Sequence, residues 1–233
     1  MTAIRFGDFD ALTFDCYGTL VDWEHGILAG VRPVIQTHGI ELTDDEVLET
    51  YARHEAELES GEYLRYRDVV AGALRGICAE HGAEPTAAEA AAFGDSVGDW
   101  PPFPDTTAAL TRLSERFRLG AITNCDSDLF ARTREKLGVG FDWIVTAEQA
   151  RGYKPSHRNF ELAFKTIGLP RGRIIHVAQS LFHDHVPAKE LGMTSVWIDR
   201  RGDAAGSGAT PAASAAPDMT FPDMQSFAAA ALA

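Results

Sequence analysis

The 233-residue chain has few cysteines and few basic side chains. Cys16, Cys78 and Cys125 are an odd number without paired spacing, so we expect no disulfide framework and favour a reducing compartment. Lysine and arginine number 21 against 34 aspartates and glutamates, and the net charge of −13 argues against nucleic acid as a partner. The charge does not exclude a small anionic substrate, which needs only a local positive site.

Signals for membranes and export are also missing. No run of ~18 consecutive apolar residues occurs, so we expect no membrane span. The opening MTAIRFGDFDALTF has no long apolar segment behind a basic lead, so we expect no signal peptide. The hydrophobic content of 45% is ordinary for a globular protein. Together these features predict a cytoplasmic protein with a sizeable buried core.

Strand and helix patterns alternate along most of the chain. The segment from Asp10 to Asp15 has the pattern of a buried strand, and RLGAITN, FDWIVTA, RIIHVAQS and TSVWID follow as strands separated by helical segments. Such alternation predicts an α/β fold with a doubly wound parallel sheet. The low-complexity segment AAGSGATPAASAAP predicts a flexible loop. The closing DMTFPDMQSFAAAALA predicts a last short strand and helix.

A long stretch between the first two strands has only helical patterns. One of its helices begins with a capping box, in which Thr43 is followed by Glu46. We therefore predict a core of residues 1–20 and 100–233, interrupted by a helical insertion of residues 21–99. An insertion that directly follows the first strand would lie above the carboxyl end of that strand and form a lid.

Polar residues stand at or just past the ends of several predicted strands. Asp15 and Tyr17 follow the first strand, Thr123 and Asn124 the second, and Asp184 a later one, while Lys154 lies in a neighbouring loop. Doubly wound sheets bind ligands at the carboxyl ends of their strands. We expect these side chains to converge on one site.

The stretches FDCYGTL, AITN, YKPSHRNF and HVAQSLFHD resemble, in order and spacing, the four motifs of the haloacid dehalogenase superfamily. The helical insertion is similar to the cap of that superfamily, and most of the chain is covered. The resemblance implies a Rossmann-like core with Asp15 as the nucleophile and Thr123 as a hydrogen-bond donor to it. It also implies Lys154 as the cationic partner of Asp15 and Asp184 as the acidic residue of the last motif.

Two positions depart from the magnesium-dependent phosphatases, the most numerous members of that superfamily. Tyr17 stands where they carry a second aspartate that protonates the leaving group, and a phenol with a pKa near ~10 is a poor acid at neutral pH. Gln179 stands where they usually carry an aspartate that helps to hold Mg²⁺, and a neutral amide is a weak ligand for this ion. Neither change harms attack on carbon.

The pattern that remains resembles the L-2-haloacid dehalogenases, whose first motif is similar to FDxYGTL and which use no metal. The resemblance implies that Asp15 displaces halide from a short 2-halo carboxylic acid and forms an ester. Water would then hydrolyse the ester to a 2-hydroxy acid, with Asp184 as the base and with Gln179 and Ser180 orienting the water. No cofactor or metal is expected, and the resemblance implies a homodimer.

Substrate binding follows the resemblance less closely. Those dehalogenases hold the substrate carboxylate and halide with a cap arginine, an asparagine that matches Asn124 and apolar walls. Tyr17 is also expected to contact the substrate. Glu57 falls at the arginine position in a rough alignment of the insertion. The nearby arginines are therefore the candidates for binding the carboxylate, and the choice among them stays open: Arg53, Arg65 and Arg67.

Two other functions stay open at this point. One is a phosphatase for a small phosphoester, with Mg²⁺ held by Asp15, a backbone carbonyl and Asp184. The other is a catalytically inactive member that binds a ligand or partner. His183 and His185 flank Asp184, but residues two apart do not share a helix face, so we predict no metal site from them.

Overall fold

A computed structural model describes residues 4–202, 206 and 208–233. Its six strands form one sheet in the order β3-β2-β1-β4-β5-β6, and every neighbouring pair is parallel. This confirms the predicted doubly wound parallel sheet. The strands are β1 (Ala11–Phe14), β2 (Arg118–Thr123), β3 (Trp143–Thr146), β4 (Ile174–Ala178), β5 (Thr194–Ile198) and β6 (Met219–Phe221).

Helices cover both faces of the sheet. They are α1 (Trp23–Thr37), α2 (Asp44–Glu59), α3 (Tyr66–Glu80), α4 (Ala87–Ser96), α5 (Thr106–Ser114), α6 (Ser127–Leu137), α7 (Ala147–Ala150), α8 (His157–Ile167), α9 (Val186–Glu190) and α10 (Met224–Ala231). A π-helical turn, Leu181–His185, leads into α9.

The central strand β1 is buried on both faces of the sheet. All four residues of β1 are buried, as expected where both faces are covered. Leu12 and Phe14 pack into the larger of two apolar clusters. Ala11 packs into the smaller cluster with Phe160 of α8. Successive side chains of a strand point to opposite faces, so one short apolar run contributes to both.

Residues 21–99 contain α1 to α4 and no strand, and they lie between β1 and β2 in the chain. The predicted capping box at the start of α2 is confirmed. The Glu46 backbone N–H donates to Thr43 Oγ1 over 3.3 Å, and the Thr43 backbone N–H donates to Glu46 Oε2 over 2.7 Å. The division into a core and an inserted domain stays a prediction.

The carboxyl-terminal part of the chain contains the predicted last strand and helix, β6 and α10. Within the low-complexity segment, residues 208–217 form turns and irregular backbone. The remainder of the predicted loop includes residues 204, 205 and 207, which lie outside the described residues. Among the helices of the described chain, none combines the length and the apolar character that crossing a bilayer would need.

A buried carboxylate joins the inserted helices to the sheet. Asp126 follows β2 and is fully buried. Its carboxylate accepts the backbone N–H of Tyr66 over 2.9 Å and that of Arg67 over 3.2 Å. These N–H groups belong to the first turn of α3, where an α-helix has no internal acceptor. The β2–α6 loop therefore caps a helix of the insertion and fixes its position above the sheet.

We predict that Asp126→Ala lowers the free energy of unfolding by about 2–3 kcal/mol, because it leaves buried N–H groups without an acceptor and removes charge-assisted hydrogen bonds. Urea unfolding followed by circular dichroism measures the change. The matched control is Asp128→Ala, since the Asp128 side chain is 60% exposed and pairs with Arg65 and Arg67 at the surface. That variant should lose less than about 1 kcal/mol. Equal losses in the two variants would contradict the capping role.

Candidate active site

Lys154 lies at the centre of a buried cluster of charges. Its ammonium donates to Asp15 Oδ1 over 2.8 Å, to Asp184 Oδ1 over 2.8 Å and to the Ile122 carbonyl over 2.9 Å. Only 1% of Lys154 is exposed, and all three of its donors have partners. The structure thus brings together three of the four residues to which the sequence assigned catalytic roles.

Secondary structure and one amide clamp place these side chains. The Asp15 backbone N–H donates to the Val177 carbonyl over 3.1 Å and extends the pairing of β1 with β4. Asp184 lies in the π-helical turn that follows β4. Asn124 holds the Lys154 backbone, since Asn124 Oδ1 accepts the Lys154 N–H over 2.7 Å and Asn124 Nδ2 donates to the Lys154 carbonyl over 3.0 Å. Asn124 therefore positions the lysine as well as lining the cavity described below.

The second oxygen of Asp15 is bound by a threonine that the sequence analysis missed. Thr19 Oγ1 donates to Asp15 Oδ2 over 2.7 Å and accepts the Gln179 backbone N–H over 2.8 Å. Thr123 was expected to be the donor to Asp15, but its buried hydroxyl has no hydrogen-bond partner in the described part of the chain. The structure therefore corrects the donor from Thr123 to Thr19. The signal was the tight Gly-Thr turn, in which Gly18 has a φ of 91° and returns Thr19 to the end of β1.

A buried histidine, His176, contacts Asp184. Asp184 Oδ1 also contacts His176 Nε2 at 2.9 Å, and His176 Nδ1 contacts Thr13 Oγ1 at 3.0 Å. Asp184 Oδ2 has no hydrogen-bond partner among the described residues. His176 was not identified from the sequence, because a lone histidine within an apolar strand is typical of a core residue. One carboxylate oxygen of Asp184 is thus fixed, and the other is left without a hydrogen-bond donor among the described residues.

The two carboxylates differ in acidity. Burial raises the pKa of Asp15, Lys154 offsets only part of that effect, and the nearby charge of Asp184 raises the pKa further. Burial would also raise the pKa of Asp184, but Lys154 and His176 outweigh it and hold that pKa well below its usual range. Burial would lower the pKa of Lys154, but Asp15 and Asp184 raise it above the ordinary lysine value. The site therefore keeps Asp184 and Lys154 charged.

Tyr17 contributes its ring and not its hydroxyl. The Tyr17 hydroxyl is 2.9 Å from Thr133 Oγ1, and the Cys125 thiol donates to it over 3.3 Å. Burial raises the pKa of Tyr17 well above that of a free phenol. The phenol therefore points into the protein interior and is unsuited to protonating a leaving group.

A small cavity of about 20 Å³ lies against Asp15 and is rich in acidic side chains. Besides the charged cluster, it exposes two glutamates of α2 and a histidine that the sequence analysis did not assign to the site. The lining residues are Asp15, Tyr17, Trp23, Glu55, Glu59, Tyr66, Asn124, Lys154, Ser180, His183 and Asp184.

The two glutamates lie one helical turn apart, so they share a face of α2. That face continues the buried stripe of Val47, Leu48 and Tyr51. Carboxylates on an otherwise apolar stripe were the sequence signal that could have identified Glu55 and Glu59.

Burial is the main influence on the protonation of these groups. It raises the pKa of Glu55 to about 7, although the hydroxyls of Tyr51 and Tyr66 donate to Glu55 Oε1 over 3.0 and 2.8 Å. Burial and the charge of Glu55 raise the pKa of Glu59 well above its usual range. Burial lowers the pKa of His183 to about 4, so this imidazole is neutral at neutral pH.

The three arginines predicted to bind substrate lie away from the cavity. Arg53 is 54% exposed and pairs with Glu80 at 2.7 Å. It precedes Glu55 by two positions, about 200° around the helix, and so faces outward. Arg65 and Arg67 form ion pairs with the carboxylates of the β2–α6 region. This placement corrects the expectation that one of Arg53, Arg65 and Arg67 holds a substrate carboxylate.

The two residues predicted to orient water are placed differently from each other. Ser180 lines the cavity, and its hydroxyl oxygen accepts the His183 backbone N–H over 2.9 Å. Gln179 lines other depressions of the surface, and its buried amide oxygen has no partner within the described residues. Only the Gln179 backbone N–H serves the site, through Thr19. The structure therefore corrects the role expected of the Gln179 side chain.

Comparisons with known proteins agree with the motifs. A family model described as haloacid dehalogenase-like hydrolase matches residues 9–181. The (S)-2-haloacid dehalogenase H-109 of Pseudomonas putida is 27% identical over 83% of this chain and 87% of its own length. A glyceraldehyde 3-phosphate phosphatase of Methanothermobacter thermautotrophicus is 32% identical but covers only 42% of this chain and 45% of its own.

A solved structure shares the fold over nearly the whole chain. The L-2-haloacid dehalogenase of Xanthobacter autotrophicus superposes with a TM-score of 0.77 at 19% identity. The match covers 95% of this chain and 97% of that one.

We predict that Glu55→Gln changes how stability depends on pH. The folded-state pKa of Glu55 is about 7, whereas an unfolded glutamate has a pKa of roughly 4.3. The stabilisation from the retained proton is complete below the unfolded pKa and is lost as the pH rises through the folded pKa. The neutral variant, whose amide oxygen still accepts both tyrosine hydroxyls, should gain about 2–3 kcal/mol relative to wild type between about pH 5 and about pH 8.

Urea unfolding at several pH values measures this gain. The matched control is Glu57→Gln, which changes an exposed glutamate on the same helix and should show no such trend. A constant difference in unfolding free energy between Glu55→Gln and wild type across the pH range would contradict the raised pKa.

Proposed function

We propose that this chain, which belongs to the haloacid dehalogenase-like hydrolase family, hydrolyses a carbon–halogen bond through a covalent ester on Asp15. The substrate class is a short 2-halogenated acid or a close derivative, and the product carries a hydroxyl in place of the halogen. One observation supports this reading most strongly. Lys154 and Thr19 each bind one oxygen of the Asp15 carboxylate, whereas Tyr17 offers no acid that could protonate a leaving group.

In the first step, an oxygen of the Asp15 carboxylate attacks the halogen-bearing carbon. A carbon–oxygen bond forms as the carbon–halogen bond breaks, and the halide leaves with the bonding electron pair. Halide is stable as an anion, so no proton donor is needed at the position of Tyr17. Lys154 and Thr19 each hold one oxygen of Asp15, which fixes the direction of attack.

In the second step, water attacks the carbonyl carbon of the Asp15 ester. Asp184 is suited to accept the proton of that water, because its Oδ2 has no partner among the described residues and the residue lines the cavity. Lys154 and Thr19 are placed to stabilise the negative charge that develops on the former Asp15 oxygens. Collapse of this intermediate breaks the bond between the Asp15 carbonyl carbon and the product oxygen, which takes up the proton held by Asp184, and the Asp15 carboxylate is restored.

Esterification also changes the charge balance of the site. Before reaction, Asp15 and Asp184 share one lysine at equal distances of 2.8 Å. The ester is neutral, so Lys154 is then left to pair with Asp184 alone. The first step thus relieves the repulsion between the two carboxylates and leaves Asp184 ionised for the second.

A magnesium ion, which the phosphatase branch implies, does not fit these residues. Lys154 already lies between Asp15 and Asp184, the two carboxylates that would hold the ion. Gln179 does not present its amide to the cavity. Across the described ranges, no three side chains of the His, Cys, Asp and Glu types form a cluster able to hold a metal. We therefore derive no step through a metal ion.

An inactive binding role is also poorly supported. The cluster of Asp15, Lys154 and Asp184 is buried, and removing charged groups from water carries a desolvation cost whether or not the site is used. A chain without chemistry would gain stability from apolar replacements at these positions.

We predict that the protein releases halide from (S)-2-chloropropionate and that EDTA leaves the rate unchanged. Ion chromatography measures the halide, and p-nitrophenyl phosphate with added Mg²⁺ serves as the comparison substrate. Asp15→Asn should abolish halide release, because the amide is a poor nucleophile. Mg²⁺-dependent release of phosphate, with no halide from any 2-halogenated acid derivative, would overturn the proposed function.

We predict that Asp184→Asn releases one halide per protein molecule and then stalls, because the ester forms but water is not activated. Steady-state turnover should fall about 10²–10⁴-fold, the usual contribution of a general base. Rapid quenching with halide analysis measures the initial burst, and the intact mass of the protein reports the accumulated ester. Asp128→Asn at the surface is the control and should turn over normally. Unimpaired steady-state turnover of Asp184→Asn would contradict the assignment of the base.

A further inference from the structure

We infer that Glu59 binds the substrate as a neutral carboxyl group, whose O–H donates a hydrogen bond to an oxygen of the substrate carboxylate. The inference rests on the proposed function, since it assigns the residue that recognises the acid group at the same site. The cavity would then hold an anionic substrate with an uncharged donor instead of an arginine.

Glu59 lies in the last turn of α2, in the cavity wall that the helices of residues 21–99 supply. Its side chain is only 6% exposed. The hydroxyl of Tyr66, in the same wall, donates to Glu55 Oε1, so these two side chains already have partners. Glu59 is therefore the polar side chain of this wall that is least committed to other residues.

Glu59 lacks the close donors that would stabilise a buried carboxylate ion. Across the described residues, the donor closest to its oxygens is Asn124 Nδ2, at 3.4 and 3.5 Å, and His183 Nε2 lies 4.0 Å away. These distances exceed those of ordinary N–H···O hydrogen bonds. Asn124 makes its shorter bonds to the Lys154 backbone. Because burying an ion without close partners is costly, this placement favours the neutral carboxyl group.

The charged groups around Glu59 do not reverse this preference. Burial raises the pKa of Glu59 well above its usual range, the charge of Glu55 adds to the rise, and Lys154 opposes it only in part. The ammonium of Lys154 is held by Asp15 and Asp184, which line the same cavity. Glu59 therefore keeps its proton to a higher pH than an ordinary glutamate does.

The other titratable groups near Glu59 carry no charge that would change this balance. Burial lowers the pKa of His183 to about 4, so its imidazole is neutral at neutral pH. Three phenols lie near enough to Glu59 for its charge to raise their pKa, and burial raises their pKa values further. All three stay neutral: Tyr51, Tyr66 and Tyr153.

A neutral carboxyl group suits an anionic substrate at this position. It has one O–H donor and keeps an acceptor oxygen, which can retain the long contact with Asn124. All three donors of Lys154 are taken, and no arginine is among the described residues that line the cavity. The Glu59 O–H is thus a donor that a substrate carboxylate can use. The negative charge of that carboxylate also favours the proton on Glu59.

The experiment follows halide release from (S)-2-chloropropionate between about pH 5 and about pH 10. In wild type, KM should rise about tenfold per pH unit above the pKa of Glu59, because only the neutral form binds the substrate. Glu59→Gln carries a permanent uncharged donor, so its KM should stay low and lose this rise. Glu59→Met has a similar size and no donor, so its KM near pH 5 should be about 10–100-fold higher, with little change in kcat.

Two further variants separate Glu59 from its neighbours on α2. Glu55→Gln removes the charge that adds to the pKa of Glu59, so the rise in KM should move to lower pH without disappearing. Glu57 is exposed, and Glu57→Gln should keep the wild-type profile. Circular dichroism at each pH checks that the variants are folded.

Each outcome bears on a stated claim. A rise in KM with pH that persists unchanged in Glu59→Gln would overturn this inference, and so would a folded Glu59→Met that binds the substrate as tightly as Glu59→Gln. Both results leave the proposed function standing, because halide is still released. If Glu59→Met does not fold, the comparison of wild type with Glu59→Gln decides alone. No halide from any 2-halogenated acid at any pH would overturn the proposed function, and this inference with it.

Discussion

The ammonium of Lys154, buried between Asp15 and Asp184, is the interaction on which the rest of the site depends. Burying three charges is costly, and the cost is offset only because each charge has close partners. The third donor of Lys154 binds a backbone carbonyl, Asp184 contacts His176, and Asp15 accepts a hydrogen bond from Thr19. With two carboxylates and one cation, the cluster carries an excess negative charge that esterification of Asp15 would remove.

The parallel sheet and the helices of residues 21–99 contribute different parts of the site. The parallel sheet gathers strand ends at one edge, which brings Asp15 and Asp184 within reach of one lysine. Asn124 fixes the backbone of that lysine, and Asp126, two residues later, caps α3 and anchors the inserted helices. One of those helices, α2, places Glu55 and Glu59 in the cavity wall. The sheet edge thus holds the charged cluster, while α2 supplies part of the cavity wall beside it.

The sheet and the reacting cluster could be predicted because their signals are local. A carboxylate directly after a buried strand is placed by the strand itself, so Asp15 was found. Asp184 was found because it lies in the turn that follows β4. The Thr19 hydroxyl reaches Asp15 because the turn at Gly18 folds back, and His176 contacts Thr13 because β1 and β4 are paired. The spacing of residues in the sequence shows neither contact. Arg53 was misplaced because a shift of two residues turns a side chain to the opposite face of a helix. Glu55 and Glu59, polar residues within an apolar stripe, line the cavity, whereas the exposed arginines of the expected sign do not.

Covalent participation of Asp15 can be tested most directly with heavy-oxygen water. The protein is allowed to turn over many substrate molecules in labelled water, and the peptide that contains Asp15 is then weighed. If water attacks an Asp15 ester, the heavy oxygen enters the Asp15 carboxylate and reaches the product in later turnovers. An unlabelled Asp15 peptide with a labelled product from the first turnover would show that water attacks the substrate directly, and it would contradict the central role given to Asp15.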